Sequence, residues 1–191
     1  MQAATPSSDD DKSTWRRWLR ERLRAVVGPS DQSLAIRTHL EAALAASAPL
    51  KIATFAALPG EPELTPCLSA AAVHLWHFPR VDGDCLRFYR VDDACQLEPG
   101  AYGIPEPCQE SEEVPVGEFD WILCPGLGFG RDGSRLGRGK GYYDRALAGA
   151  RPDAWLIGTG FEEQFVEALP CEDHDLPMTH ALRPRGFTPI R

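Results

Sequence analysis

The chain has 191 residues, of which 43% are hydrophobic and 25% charged, a composition typical of one globular domain and unlike that of a disordered chain. The formal net charge of −8 argues against nucleic acid as the main partner, because a nucleic-acid-binding surface is normally basic. No apolar run approaches the ~20 residues that a membrane-spanning helix needs, so we expect no membrane partner.

Six cysteines are scattered along the chain without a CxxC pair. An even count permits a disulfide framework, but the N-terminus has no apolar stretch long enough for a signal peptide. The length of the chain and this missing signal favour free thiols in a reducing compartment. We therefore expect a cytoplasmic protein.

The charge is distributed unevenly. Residues 12–24 contain six basic side chains and one acidic one, and residues 131–145 contain five basic and two acidic ones. Two basic segments in an acidic chain indicate a local anion site rather than a long track for a polyanion.

The N-terminal region predicts a tail and two helices. Residues 1–11 are polar and acidic and are expected to be disordered, whereas residues 12–191 are expected to form a single domain. From Lys12, apolar residues recur at three- and four-residue steps and predict an amphipathic helix. Gly28-Pro29 ends this helix, and Ser30 is the expected N-cap of a second helix.

The rest of the chain alternates between apolar runs and helical patterns. Strands are predicted at residues 50–58, 73–78, 85–91, 119–124 and 154–158, and short helices at residues 64–72, 141–150 and 162–169. The proline-rich segment 97–118 is predicted to be mostly loop. This alternation predicts a single-domain, layered α/β/α fold with a mostly parallel, Rossmann-like sheet.

The most informative segment is residues 124–147, which leaves a predicted strand, contains seven glycines and enters a helix. Ligands of open α/β sheets bind at the carboxyl ends of strands. Glycines let backbone N–H groups approach phosphate oxygens, and a helix N-terminus favours an anion. With Arg135, Arg138 and Lys140 as cations, this segment predicts a phosphate site.

Two commoner phosphate motifs fit less well. Residues 128–133 match GxGxxG, but no helix opens at Gly133, as a dinucleotide site requires. The P-loop pattern fails because Lys140 is followed by Gly141 and because Ser134 stands where the upstream glycine belongs. The remaining alternative is a glycine-rich connection without a ligand.

Residues 125–129 (PGLGF) and 133–145 (GSRLGRGKGYYDR) resemble the signature of the 5-formyltetrahydrofolate cyclo-ligases, also called methenyltetrahydrofolate synthetases. Other pieces follow in the order of that family: Lys12-x-x-x-Arg16, Pro59-Gly60-Glu61, Gly103-Ile104-Pro105-Glu106-Pro107, and Gln164, Leu169-Pro170 and His174-Asp175. The resemblance covers essentially everything after residue 11.

This resemblance implies that ATP drives the cyclisation of 5-formyltetrahydrofolate to 5,10-methenyltetrahydrofolate, through a phosphorylated formyl intermediate, with release of ADP and phosphate. It implies ATP and the folate as partners, Mg²⁺ as cofactor and a monomer. Two alternatives stay open: a relative that binds folate or nucleotide without turnover, and an enzyme of the sugar-phosphate isomerase type on a similar fold.

The resemblance also implies roles for individual residues. ATP is expected to contact Lys12, Arg16, Arg135, Leu136, Gly137, Arg138, Gly139, Lys140, Gly141, Tyr142 and Tyr143. The folate is expected to contact Ala56, Glu61, Arg138, Gly139, Lys140, Gly141 and Tyr142. Arg138, Lys140 and Tyr142 are the expected catalytic residues, and Asp144 and Asp175 the expected metal ligands.

Each role has a plainer alternative. Lys12 and Arg16 share a helix face that could simply be solvated or could rest on a membrane surface. Tyr143 could be a core residue. Asp144 could be a carboxylate stabilised by a helix N-terminus, and Asp175 a turn residue. For Glu61, the alternative is an exposed carboxylate in a turn.

Other candidates for chemistry are weaker. His74 and His77 are separated by an odd number of positions, so on one strand they would point to opposite faces and could not share a metal. Cys124 fits a small buried side chain better than a nucleophile.

Overall fold

The computed structural model describes residues 5–7, 10–100, 103–172 and 175–190. Within these ranges the helices are α1 Lys12–Arg24, α2 Pro29–Ala45, α3 Cys67–Ala70 and α4 Tyr142–Leu147. The strands are β1 Lys51–Ala53, β2 Leu75–Asp82, β3 Cys85–Arg90, β4 Leu97–Pro99, β5 Pro105–Pro107, β6 Glu113–Val114, β7 Trp121–Cys124, β8 Gly128–Gly130, β9 Arg135–Leu136, β10 Trp155–Thr159, β11 Phe165–Val166, β12 His180–Arg183 and β13 Gly186–Pro189.

Eight strands form one sheet in the order β13-β12-β10-β7-β1-β2-β3-β6. The five central strands, from β12 to β2, are parallel to one another. Antiparallel strands complete both edges. The predicted mostly parallel sheet is confirmed.

The two faces of this sheet are covered by different helices. On β1, Ile52 packs with α2 and α3 residues, whereas its neighbour Ala53 packs with residues of α4. The same alternation separates Leu123 from Cys124 on β7. Because successive side chains of a strand point to opposite faces, the central strands are apolar on both sides, as the layered α/β/α prediction requires.

Helix α1 packs on the glycine-rich segment instead of on the main sheet. That segment contributes β8 and β9, which form a small sheet with β11 in the order β11-β8-β9. The apolar face of α1 is buried here, and the cluster comprises Trp15, Trp18, Leu19, Leu127, Leu136 and Leu169. The predicted amphipathic helix is confirmed, and its packing places basic residues of α1 beside the glycine-rich segment.

Two predictions about helices were wrong. Residues 162–169 form a 3-10 turn, Glu162–Gln164, followed by β11. The buried Gln164 side chain accepts a hydrogen bond from Phe161 N (2.7 Å) and donates one to Gly126 O (2.6 Å), so its amide joins two loops. Ser30 does not cap α2: Gly28 is the N-cap, in a left-handed conformation, and Pro29 occupies the first turn, where its missing N–H costs nothing.

The limits of several strands also differ from prediction. The first strand ends at Ala53, so residues 54–58 are a connection that leads away from the sheet edge. His74 precedes β2, and its Nδ1 accepts the N–H of Leu50 (3.2 Å). The predicted loop 97–118 contains the β4–β5 hairpin and β6.

The N-terminal prediction can be followed only in part. Residues 1–4 and 8–9 of the expected tail lie outside the described residues, as does His174. Asp11 is the N-cap of α1, because its carboxylate accepts the N–H of Thr14 (2.8 Å). All six cysteines are free thiols. In the described ranges, no helix is both long enough and apolar enough to cross a bilayer.

Candidate functional site

A cavity of about 360 Å³ lies where β1 and β7 end and the glycine-rich segment returns over the sheet. This is the carboxyl edge of the parallel strands, where ligands of open α/β sheets bind. Of the residues assigned to ATP, folate or metal, the cavity brings together Ala56, Glu61, Arg135, Gly137, Arg138, Gly139, Lys140, Gly141, Tyr142, Tyr143 and Asp144.

Glu61 and Arg138 form an ion pair in this cavity. Arg138 donates from Nε (3.0 Å) and Nη2 (2.9 Å) to Glu61 Oε1, and the N–H of Leu58 binds Oε2 (3.0 Å). The Glu61 side chain is only 4% exposed. Burial raises the pKa of Glu61, and the positive charge of Arg138 opposes this rise. Glu61 is therefore not an exposed turn carboxylate: it fixes the glycine-rich segment over the turn that follows β1.

A second ion pair joins Arg135 to Asp144. Arg135 Nη2 donates to Asp144 Oδ1, and its Nη1 donates to Pro125 O at 3.2 Å. The Arg135 side chain is 5% exposed, and its guanidinium lies 5.6 Å from the centre of the Tyr143 ring. Because all these partners are internal, Arg135 holds the start of α4 against the end of β7.

The start of α4 is also tied to the β2–β3 turn. Tyr142 donates its hydroxyl hydrogen to Gly83 O (3.4 Å), and Arg145 donates to Asp84 O from Nε (3.0 Å) and Nη2 (2.7 Å). Lys140, by contrast, is exposed, and its ammonium has no hydrogen bond or ion pair with the described part of the chain. Lys140 is thus the cavity cation most available to an anionic ligand.

Four predicted site residues lie outside the cavity lining. Arg16 donates from Nε to Gly137 O (3.1 Å), which brings α1 to the back of the glycine-rich segment. Lys12 binds Asp175 Oδ2 (2.7 Å) and Glu172 Oε1 (3.3 Å). Leu136 is buried under α1. Thus Lys12 and Asp175 are brought to each other and not to the cavity wall.

The two expected metal ligands belong to separate ion pairs, Asp144 with Arg135 and Asp175 with Lys12. No group of three or more His, Cys, Asp or Glu side chains that could hold a metal occurs in the described ranges. Mg²⁺ is nevertheless usually bound by one or two carboxylates together with phosphate oxygens. Asp144, a cavity residue whose side chain is 35% exposed, fits that chemistry.

Sequence reasoning missed most of the apolar lining of the cavity. The residues that it missed are Phe55, Leu58, Pro79, Val81, Leu86 and Ile104. Glu106 also lines the cavity. In the sequence, the only indication that Glu106 belongs to the site was its place in the family-like segment 103–107, for which no role was predicted. Together the cationic and the apolar lining residues suit a ligand pair that combines a flat, partly apolar body with a strongly anionic group.

Residues 8–184 match the model of the 5-formyltetrahydrofolate cyclo-ligase family. A 5-formyltetrahydrofolate cyclo-ligase from Mycolicibacterium smegmatis is 39% identical over 104 residues, which are 54% of this chain and 53% of the relative. The mouse protein of the same name is 32% identical over 106 residues, 52% of each chain. The matched part spans about half the length of these curated relatives.

Solved structures extend the similarity over the whole fold. The 5,10-methenyltetrahydrofolate synthetase of Aquifex aeolicus superposes with a TM-score of 0.82 at 30% identity and covers 94% of this chain and 93% of its own. The Mycoplasma pneumoniae synthetase gives a TM-score of 0.73 at 24% identity, covers 92% of this chain and 99% of its own, and supports the fold alone. Because the family model matches most of its length, this chain belongs to the 5-formyltetrahydrofolate cyclo-ligase family.

Proposed function

We propose that this protein uses ATP to convert 5-formyltetrahydrofolate to 5,10-methenyltetrahydrofolate, with release of ADP and phosphate. One observation carries the proposal: a cavity at the carboxyl edge of the sheet is lined both by the cationic glycine-rich segment and by a set of apolar residues. The apolar residues suit the pterin, and the glycine-rich segment suits the triphosphate.

The chemistry explains why both ligands are needed in one cavity. The formyl oxygen is a poor leaving group, so it first attacks the γ-phosphorus of ATP, and ADP departs. N10 of the folate then attacks the activated formyl carbon and loses its proton, and phosphate leaves with the former formyl oxygen. Such phosphoryl transfer requires positioning and charge neutralisation more than covalent catalysis by the protein.

We assign these tasks to three cavity residues. Lys140, whose ammonium has no hydrogen bond or ion pair with any described residue, would neutralise charge on the transferred phosphoryl group. Arg138, held in place by Glu61, would position the formyl group and the phosphate against each other. Tyr142, fixed at the start of α4, would offer its ring to the pterin.

Asp144 would hold Mg²⁺ at the glycine-rich segment, and this ion would supply further neutralisation of phosphate charge. Arg16 lies beside Gly137 and would meet the triphosphate from behind that segment. For Lys12 to do the same, it must exchange the Asp175 carboxylate for a phosphate oxygen. After this exchange, Asp175 would join Asp144 at the ion.

On the folate side, Ala56 and Glu61 would contact the substrate. Both Glu61 oxygens are already hydrogen-bonded, but each carboxylate oxygen has two lone pairs and can accept a further N–H. The main role that the geometry supports for Glu61 is the orientation of Arg138.

The test is the absorbance of the methenyl product after addition of 5-formyltetrahydrofolate and Mg²⁺, with and without ATP. We expect product only with ATP, together with one ADP per product. Folate binding without product would instead indicate a relative that lacks turnover. Calorimetric titrations with nucleotide and with the folate separate both from a sugar-phosphate isomerase, which would bind neither as substrate.

We further propose that the protein acts as a monomer in the reducing cytoplasm. The six free thiols support the choice of compartment. Sedimentation velocity tests the monomer, and thiol titration of protein isolated under non-reducing conditions tests the redox state: fewer than six reactive thiols after denaturation would contradict it.

A further inference from the structure

Glu106 is a cavity residue without a role in the reaction proposed above. It lies on β5, in the hairpin that β4 and β5 form beside the main sheet. This hairpin is attached to β2 by side-chain hydrogen bonds: Arg80 Nη1 donates to Pro107 O (3.4 Å) and Cys108 O (3.1 Å), and Glu106 Oε1 accepts the N–H of Val81 (3.2 Å). Glu106 is therefore held in a defined place in the cavity lining, beside the apolar residue Val81.

The carboxylates of the cavity differ in the number of hydrogen-bond and ion-pair partners that they have within the protein. Glu61 binds Arg138 and a backbone N–H, and Asp144 binds Arg135. Glu106 has a single hydrogen bond, to Oε1, and within the described ranges its Oε2 has no donor. As far as the described residues show, one oxygen of the Glu106 carboxylate can therefore still accept a hydrogen bond from a ligand.

We infer that Glu106 determines specificity for the folate by accepting hydrogen bonds from the 2-amino and N3–H groups of its pterin. This inference rests on the proposed function and names the part of the substrate that Glu106 and its apolar neighbours recognise. The pterin carries N–H donors at that edge, whereas the glutamyl tail and the triphosphate are anionic and would be repelled by a carboxylate. The cations that suit these anions, Arg138 and Lys140, lie on the glycine-rich side.

The residue at position 100 makes room for this carboxylate. A Cβ added to Gly100 would lie 2.4 Å from Glu106 Cγ and 2.5 Å from its Oε2. Such contacts are too close, so any larger residue would displace the Glu106 side chain. Gly100→Ala is thus a second way to move the carboxylate without altering its chemistry.

The central variant is Glu106→Gln. Its amide oxygen can still accept the Val81 N–H, so the attachment of the hairpin is kept, but an NH₂ donor replaces the free acceptor. The ligands are 5-formyltetrahydrofolate and its analogue with a methyl group in place of the 2-amino group, titrated by protein fluorescence with Mg²⁺ and a non-hydrolysable ATP analogue. We expect the wild type to bind the parent compound about 10- to 100-fold more tightly than the analogue, the range for a hydrogen bond to a charged group.

In Glu106→Gln this preference should fall to within about 3-fold, which a merely structural role would not produce, and Gly100→Ala should reduce it in the same direction. Glu98→Gln is the matched control, because Glu98 pairs with Glu106 across the hairpin but is exposed and does not line the cavity. It should keep the full preference. A preference for the parent compound that is equally large in the wild type, Glu106→Gln and Glu98→Gln overturns this inference alone. A wild type that binds neither compound overturns the proposed function, and this inference with it.

Discussion

The charged side chains of the cavity fall into two groups, those bound within the protein and those left for a ligand. Arg135 and Arg138 are paired with Asp144 and Glu61, so each fixes a piece of chain in addition to any contact with substrate. Lys140 has no such partner in the described chain. A buried charge that loses its partner is destabilising. Replacing either arginine would therefore change the free energy of unfolding as well as the activity. Lys140 offers the cleaner experiment.

We expect Lys140→Ala to lower kcat/KM by about 100-fold or more, the usual effect of removing one group that stabilises developing charge. The free energy of unfolding should change by less than about 0.5 kcal/mol, because the side chain is exposed and forms no ion pair with the described residues. Lys51→Ala is the control, since Lys51 is a lysine at the opposite, amino end of β1. Steady-state assays and urea titrations of both variants give the answer; a Lys140→Ala enzyme of near wild-type activity would show that the site has been misassigned.

Tyr143 illustrates a polar group that the fold leaves unsatisfied. Although the residue lines the cavity, its hydroxyl is shielded from solvent and has no hydrogen-bond partner in the described chain. Burial also raises the pKa of Tyr143 well above its ordinary value. We expect Tyr143→Phe to raise the free energy of unfolding by about 1 kcal/mol, because it removes a buried hydroxyl that makes no bond. Tyr142→Phe, which removes a hydroxyl that does donate a hydrogen bond, to Gly83 O, should not raise it; a loss of stability in Tyr143→Phe would reveal a partner such as bound water.

The small sheet is seated on the large one by the side chain of Phe129. This fully buried ring on β8 lies over glycines: a Cβ at Gly158 would be 2.6 Å from it, one at Gly160 2.9 Å and one at Gly126 3.0 Å. The glycines after β7 and along β10 thus do more than approach phosphate. They allow the glycine-rich segment to lie directly on the carboxyl edge of the sheet, which places its cations at the cavity.

We therefore predict that Gly158→Ala destabilises the protein by about 1–3 kcal/mol, the usual cost of overpacking a core. Phe129→Leu alone should also destabilise, by leaving a partly filled space. In the double variant the smaller side chain accommodates the new methyl group. The double variant should therefore lose about 1 kcal/mol less stability than the sum of the losses in the two single variants. Chemical denaturation of the four proteins measures this coupling, and strictly additive losses would show that the two residues do not compete for space.

The long elements were predictable and the short ones were not. Strands β7 and β10 are continuous apolar runs because both of their faces are covered, and α1 has a clear apolar stripe. Strands β9 and β11 are only two residues long, too short to show a period of two. Gln164 misled the prediction because a buried amide that joins two loops looks, in the sequence, like an ordinary polar helix residue.

The site was predictable to the extent that it lies in one continuous segment. Residues 135–144 all come from the glycine-rich segment, and most of them line the cavity as expected. The contact between Glu61 and Arg138 spans 77 positions and depends on how the turn after β1 faces that segment. Glu106 reaches the cavity through a hairpin in a region predicted to be loop. Contacts of this kind are set by tertiary packing and leave no local pattern.

At the scale of the whole molecule, the same strands form the centre of the sheet and one end of the cavity. The strands that end at the cavity, β1 and β7, are also the two middle strands of the large sheet, and β2 beside them carries the buried His77. This ring bonds to Ile52 O through Nδ1 (3.1 Å) and lies 4.9 Å from the ring of Phe119. Burial lowers the pKa of His77 below the ordinary value of 6.5, with the hydrogen bond to Ile52 acting in the opposite direction.

This depressed pKa makes the stability of the fold depend on pH. Below about pH 6.5 the unfolded chain takes up a proton at His77 that the folded protein resists, so the unfolded state is favoured. The stabilisation is fully present above pH 6.5 and is lost as the pH falls through the folded pKa, with a slope of at most about 1.4 kcal/mol per pH unit for one proton. Burial lowers the pKa of His180 as well, so its contribution has the same sign.

Replacing His77 by Gln should keep a donor for Ile52 O and remove the titrating group. We expect His77→Gln to be less stable than the wild type at pH 7.5, because the ring packs on Phe119, but to lose less stability than the wild type between pH 7 and pH 5. Urea denaturation at half-unit steps of pH, followed by tryptophan fluorescence, measures both slopes. Parallel slopes would mean that His77 is protonated as easily in the folded sheet as in the unfolded chain, and that the acid sensitivity of the protein arises elsewhere.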